Sequence, residues 1–366
     1  NNIDKAEKLI WHSIAISLCG AITFLILFLL FGKDLLYLLG GRGEILQESY
    51  EYCSVLFFGG LLIWLSGSLS AALRGMGNMR FPATLMVIAS LIQVVLSGGF
   101  ILGWYGFPKL GVSGAAVATL ISSTLMVTVI ILKLSSKTVP ARLKRKQFIL
   151  SRDLFSNIFE VAIPASASPL LTVGTILVLT GLVGTFGTEA LAGYGIGSRV
   201  EFLMIPLIFG IGTAMTSIVG ANIGASNIER AERVGIYGGS TAGVVSILIG
   251  LTLALFPDLW IHYFTDDPKA YEITKKYIQI VGPFYAFQGI GLSLYFASQG
   301  ANAMLWPTIA TVARFIIASV GGSTVSYTHG FGIESIFLSS SIAMMIFGIM
   351  IFISLKRGAW RKDSYS

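Results

Sequence analysis

Asn1-Asn-Ile-Asp-Lys-Ala-Glu-Lys-Leu9 is answered without a gap by Ser226-Asn-Ile-Glu-Arg-Ala-Glu-Arg-Val234, the end of the longer stretch Gly220–Val234. Four positions are identical (Asn2/Asn227, Ile3/Ile228, Ala6/Ala231, Glu7/Glu232), and the other five keep size or charge. The offset is 225 residues, and a second echo shares it: Leu69, Ala72, Gly75, Met79 and Pro82 recur as Leu294, Ala297, Gly300, Met304 and Pro307. Two matches at one spacing identify a tandem duplication, which governs how every other segment is read. Residue 1 pairs with Ser226, yet the second copy opens near Ser151, so roughly 75 residues of the first copy have no counterpart ahead of Asn1. The expectation is an amino-terminally truncated piece of a longer protein.

Each copy is built for lipid. Of 366 residues, 54% are hydrophobic, only 12% are charged and 42 are glycine; soluble domains carry about twice that charge. Mean hydropathy is +0.80. Apolar runs of 20 or more residues recur, the length needed to cross roughly 30 Å of hydrocarbon. The net charge of +7 sits in short loops between those runs, so it reads as a topology signal and not as a nucleic-acid surface. Cys19 and Cys53 lie in or beside apolar runs without metal-ligand spacing, and read as small packing residues.

Ten spans are expected, at roughly 10–31, 52–73, 82–103, 111–133, 155–183, 200–220, 234–256, 277–298, 307–327 and 333–355. They must be helices, because lipid cannot satisfy an open backbone and the runs are too long for barrel strands. The fold class is therefore an all-α polytopic membrane protein with ten transmembrane helices of an expected twelve, in two pseudo-symmetric six-helix lobes. Residues 1–135 form the first lobe, with four helices; 136–154 form a basic linker; 155–366 form the second lobe, with six. Of the 25 Lys and Arg, 17 fall in one set of loops and 7 in the alternate set, with Arg314 alone inside a span. The positive-inside rule then places both termini in the cytoplasm. Six spans per copy is even, so the copies share one orientation and are expected to be related by an axis along the membrane normal. The linker's Pro140-Ala-Arg-Leu-Lys-Arg-Lys146 reads as a solvated cytoplasmic segment, or as a contact for anionic lipid headgroups.

The repeated stretch has a local role. Ser226 with Glu229, and Asn1 with Asp4, have capping-box spacing. Gly220 and Gly224 would let the preceding helix end and turn. The segment around Asn222 thus reads as a structural elbow, with a gate latch as the alternative.

No enzyme signature is present. His12, His262 and His329 are scattered, and Ser has no His/Asp companions. Gly193-Tyr-Gly-Ile-Gly197 and Gly210-Ile-Gly212 follow no strand, so close helix approach explains them better than a nucleotide site. Polar side chains inside spans are costly and mark a pathway. Arg314 lies roughly 12 Å from the cytoplasmic end of its span, and Glu160 enters its own span from the same side to a similar depth, just before Pro164 and Pro169. The two are expected to face each other or share a polar cavity; the alternative is that each reaches the interface separately. Tyr285, Gln288, Tyr295 and Gln299 are spaced to share a helical face, suited to apolar or cationic organic substrates or to helix–helix hydrogen bonding. Arg199 and Glu201 flank the outer mouth of their span, as a surface pair or a gate.

Gly187-Thr-Glu-Ala-Leu-Ala-Gly-Tyr-Gly-Ile-Gly-Ser-Arg199, the Gly220–Val234 stretch and Tyr295-Phe-Ala-Ser-Gln-Gly300 together resemble the multidrug and toxin extrusion (MATE) family over nearly the whole chain. The resemblance implies twelve helices in two lobes, a cleft that alternates between membrane faces, and export of cationic or amphipathic compounds in exchange for protons or sodium. Its sodium-coupled branch carries acids in the seventh and tenth helices. Aligned on Pro164 and Gly300, those places hold Thr172 and Gln288, both neutral, which favours protons and leaves Glu160 and Arg314 as the charged candidates. The expected partners are small-molecule drugs or toxins and the lipid bilayer, with no nucleic acid; the protein is expected to be a monomer of the cell membrane, without cofactor beyond the coupling H+ or Na+. A lipid-linked saccharide flippase of the same superfamily is the alternative, disfavoured by having only one buried Arg. A channel or scaffold would require neither Arg314 nor Glu160.

Overall fold

A computed structural model describes residues 2–38, 42–324 and 332–361, and these form helices in two compact units, Asn1–Ser156 and Asn157–Ser366. The first unit contains α1 (Asn2–Leu38), α2 (Gly43–Phe58), α3 (Gly60–Gly75), α4 (Arg80–Leu102) and α5 (Ser113–Ser135). Helix α6 (Arg152–Gly184) leads into the second, followed by α7 (Thr188–Gly224), α8 (Ile228–Leu255), the single turn α9 (Asp258–Ile261), α10 (Pro268–Val281), α11 (Tyr285–Gly300), α12 (Leu305–Ile316) and α13 (Ile333–Lys356). Among the described residues, nine helical segments are long and apolar enough to cross a membrane, and the bent pair α2/α3 makes a tenth. Each of the ten expected spans overlaps one of these segments. Side chains such as Leu91, Val94 and Val95 are 64%, 71% and 72% exposed, as a lipid-facing surface requires and a water-facing one could not sustain.

The duplication is legible in the helix ends. Helices α2 and α10 start at Gly43 and Pro268, α3 and α11 run over Gly60–Gly75 and Tyr285–Gly300, and α4 and α12 start at Arg80 and Leu305. Each pair differs by the 225 residues of the sequence repeat. Both units break the same span: α2 and α3 meet at 52° around Gly59, and a 3-10 turn at Gly282–Phe284 separates α10 from α11.

The first unit packs Ile10 of α1, Leu69 and Leu73 of α3, and Ile130 and Leu134 of α5 into one core. The basic linker belongs to it. Val139 and Ala141 are buried in that core. Glu7, whose side chain is wholly buried, pairs with Lys144 at 2.8 Å and accepts the Arg142 N–H at 3.1 Å; Trp11 donates to the Lys144 carbonyl at 2.9 Å. The linker is therefore packed and not a free solvated segment, because a buried carboxylate is tolerated only with charged and hydrogen-bonded partners. The second unit repeats the device. Glu232, the counterpart of Glu7, takes a bidentate contact from Arg361 at 2.8 Å, beyond the end of α13.

The elbow before α8 differs from its expectation by one residue. Asn227, not Ser226, caps α8, accepting the Arg230 N–H at 3.2 Å, while Ser226 takes the left-handed turn at φ 59°. The matching cap at Asn1 lies outside the described residues. Gly220 does not end its helix: a Cβ there would sit 3.2 Å from the Gly300 carbonyl oxygen, so it permits α7 and α11 to cross. Asn222 donates to the Ile218 carbonyl at 2.7 Å, and its own carbonyl accepts the Asn227 N–H at 2.8 Å, which holds the turn.

Candidate functional site

The site grows from the way α7 is packed. Its first half is rich in glycine, and the glycines are spaced for contact: a Cβ on Gly193 would lie 2.8 Å from the Ala270 carbonyl oxygen, and one on Gly197 2.4 Å from the Tyr277 ring. Helix α10 therefore lies directly against α7, fastened where Thr274 donates to the Gly193 carbonyl at 3.0 Å. This contact continues α7 back to Thr188, so Glu201 stands thirteen residues inside the helix, roughly 20 Å from its start at 1.5 Å per residue. Its carboxylate accepts the Tyr277 hydroxyl.

Glu201 opens onto a cavity of about 560 Å³ within the second unit, a volume suited to a drug-sized ligand. Six helices form its walls: Ser168, Thr172 and Leu179 of α6; Ser198, Glu201 and Phe209 of α7; Tyr277 of α10; Gln288, Tyr295 and Gln299 of α11; Arg314 of α12; and Ser340 and Met344 of α13. The wall positions on α7 recur every three or four residues, the stripe of one helical face. Tyr295 is pinned by donation to the Ala165 carbonyl at 2.5 Å, which presents its ring edge-on to Phe296 at 5.8 Å.

Two charges share this chamber, which is otherwise uncharged among the described residues. Arg314 donates to the Gln288 side-chain oxygen at 3.2 Å and lies 5.3 Å from the Phe347 ring centroid. Glu201 and Arg314, opposite in sign, line the same chamber and so attract each other across it, but neither belongs to a close ion pair among the described residues. The low-dielectric walls strengthen that attraction and any other charge interaction in the chamber.

The structure assembles part of the expected set. Arg314, Gln288, Tyr295, Gln299, Thr172 and Glu201 line one cavity. Arg314 and Glu160 do not face each other: Glu160 is exposed and lines a separate cavity with Pro164, Asn302, Trp306, Trp360 and Arg361. Distance along a helix followed from the sequence; direction around the axis did not. Tyr285, the first residue of α11, lies at the edge of the shared stripe, does not line the cavity, and packs in the apolar core with Ile208 and Tyr277. Arg199 and Glu201 are not a pair: Arg199 is exposed and lies over the Phe264 ring at 5.3 Å, while Glu201 turns inward. Sequence reasoning missed Tyr277 and the inward role of Glu201, although the seven-residue spacing of Tyr194 and Glu201, two turns of one face, carried the signal.

The MatE family profile matches residues 1–97 and 164–324, more than half of the chain. Over 280 residues the chain is 31% identical to a probable multidrug resistance protein NorM of Thermotoga maritima, with 74% of this chain and 58% of that protein covered. It thus spans less than two thirds of that relative's length. It is also 24% identical over 334 residues to an FAD transporter of Shewanella oneidensis, with 90% of this chain and 72% of that protein covered. In fold it matches a MOP superfamily transporter from Pyrococcus furiosus with a TM-score of 0.90 at 24% identity, over 98% of this chain and 79% of that one. An outward-facing multidrug resistance MATE family transporter gives a TM-score of 0.87 at 24% identity, over 96% and 78%. With the duplicated helix ends and the polytopic architecture, these matches establish that the chain belongs to the MatE family.

Proposed function

We propose that the chain is part of an ion-coupled secondary transporter of the cell membrane, both termini cytoplasmic, which exports cationic or amphipathic organic compounds by alternating access. The observation that carries this reading is the second-unit cavity, large enough for a ring-bearing compound, walled by aromatic and amide groups, and holding the carboxylate of Glu201. Stacking and adaptable hydrogen bonds suit varied amphipathic ligands, and the relatives' names, multidrug resistance proteins and an FAD transporter, support organic compounds as the class. The proton is the coupling ion of this reading: Glu201 is the carboxylate of the cavity, and the neutral Thr172 and Gln288 on its walls offer no second acid for sodium.

A cationic substrate and a proton compete for Glu201, which couples the exit of one to the entry of the other. The test is dye accumulation in everted vesicles from cells expressing the full gene product, with proton and sodium gradients imposed separately. Rhodamine 6G uptake driven by the proton gradient alone is the expected result. Uptake driven only by sodium overturns the choice of ion, and no gradient-driven uptake of any organic dye overturns the transporter reading.

A further inference from the structure

Arg314 is the charge in the cavity that export of cations does not use. A guanidinium offers five N–H donors in a planar fork and cannot be neutralised by losing its proton. One donor is committed to the Gln288 side-chain oxygen at 3.2 Å, and Phe347 at 5.3 Å supports the group through its ring. No carboxylate closes on it within ion-pair distance among the described residues. A charge serving only to hold helices together would close against an acid, because an unpaired charge away from water costs several kcal/mol. Among the described residues Glu201 is the only carboxylate lining the cavity; it is held by the Tyr277 hydroxyl, and both charged groups border the open space.

We propose that Arg314 is an anion-recognising subsite, and that the cavity accepts aromatic compounds bearing a carboxylate, sulfonate or phosphate as well as cations. The inference rests on reading this cavity as the substrate site. An anionic head group would take the free edge of the guanidinium fork, the geometry that planar, two-oxygen anions match best. Its ring system would lie among Tyr295, Phe296 and Phe209, which line the same chamber. Glu201 and Arg314 then sort substrates by sign: the acid favours a cation and repels an anion, and the guanidinium does the reverse.

The experiment measures equilibrium binding to the purified full chain by fluorescence anisotropy, with two xanthene dyes of similar frame and opposite charge, sulforhodamine B (anionic) and rhodamine 6G (cationic). In Arg314→Gln the anionic dye is expected to weaken by about tenfold or more, equivalent to ~1.4 kcal/mol, while the cationic dye tightens. Arg314→Lys, which keeps the charge and loses the fork, is expected to fall between. Glu201→Gln is expected to move both dyes in the opposite directions. Because the two dyes move apart, a misfolded variant, which loses both, is distinguishable from a lost subsite. Loss of both dyes together in Arg314→Gln and Arg314→Lys would assign the residue a structural role and overturn the proposal. So would failure of sulforhodamine B to bind the unaltered protein: if rhodamine 6G still binds, only the anion subsite falls, and if neither dye binds, the substrate-site reading falls with it.

Discussion

The two units share helix ends at a constant offset, yet the side chains between those ends have diverged. Where the second unit has Arg314, the first has Ala89; Gln288 corresponds to Ile63 and Tyr295 to Ser70. What both units keep is the acid at the start of the repeated helix, Glu7 or Glu232, tied to a basic residue beyond the last helix of its unit. Duplication therefore preserved the scaffold and its fastening, and left the chamber-lining positions free to acquire charge. Within the second unit the glycines differ in what they meet: a Cβ on Gly300 would lie 2.1 Å from the Thr216 carbonyl oxygen, whereas Gly210, on the exposed side of α7, has no atom within 4 Å of that position.

That contrast makes the largest prediction. Gly300→Ala forces α7 and α11 apart at a backbone contact, an overpacking expected to cost about 2–3 kcal/mol, while Gly210→Ala stays within about 1 kcal/mol of the parent, the scale of helix propensity. Thermal unfolding in detergent, followed by tryptophan fluorescence, reads both; equal losses would break the distinction between a packed and an open glycine. Next are the fastening acids. Glu7→Ala strands the Arg142 amide and Lys144 beside a fully buried position, a loss of about 2 kcal/mol for hydrogen bonds to a charged group. Glu232→Ala removes a pair whose Arg361 side chain is 57% exposed, which is expected to cost no more than about 1 kcal/mol and to fade in roughly 1 M salt. A larger loss at Glu232 than at Glu7 would reverse the ranking. The remaining comparison, read in rate and not in stability, is of the tyrosines at matched positions. Tyr277→Phe deletes the hydrogen bond to Glu201 and is expected to slow proton-driven dye transport by about tenfold, near 1.4 kcal/mol. Tyr52→Phe, its counterpart in the first unit, is expected to leave the rate unchanged.

Much of this architecture was legible in the sequence because it is written along the helix axis. Apolar length located the ten spans, and the echo of Leu69–Pro82 in Leu294–Pro307 marked where helices stop and restart. Glu201 was misplaced for a physical reason. The half of α7 ahead of it, Gly193 to Gly197, is glycine-rich so that α10 can approach, and glycine dilutes the apolar signal that marks a span. The expected partnership of Arg314 and Glu160 failed on a different count. Depth along an axis follows from residue number, but bearing around it depends on local winding, and α6 carries Pro164 and Pro169, either of which can bend a helix. Tyr285 likewise dropped out because it opens α11 at the edge of the stripe, about 60° around the axis from Gln288, where it meets the apolar core and not the cavity.

The claim on which the rest turns is that the inward-facing Glu201, not the exposed Glu160, carries the proton that drives transport. Dye accumulation under a proton gradient in vesicles bearing Glu201→Gln or Glu160→Gln puts the two acids side by side. The account predicts that Glu201→Gln abolishes the gradient-driven component while Glu160→Gln retains it; full activity in Glu201→Gln, with loss in Glu160→Gln, would contradict it.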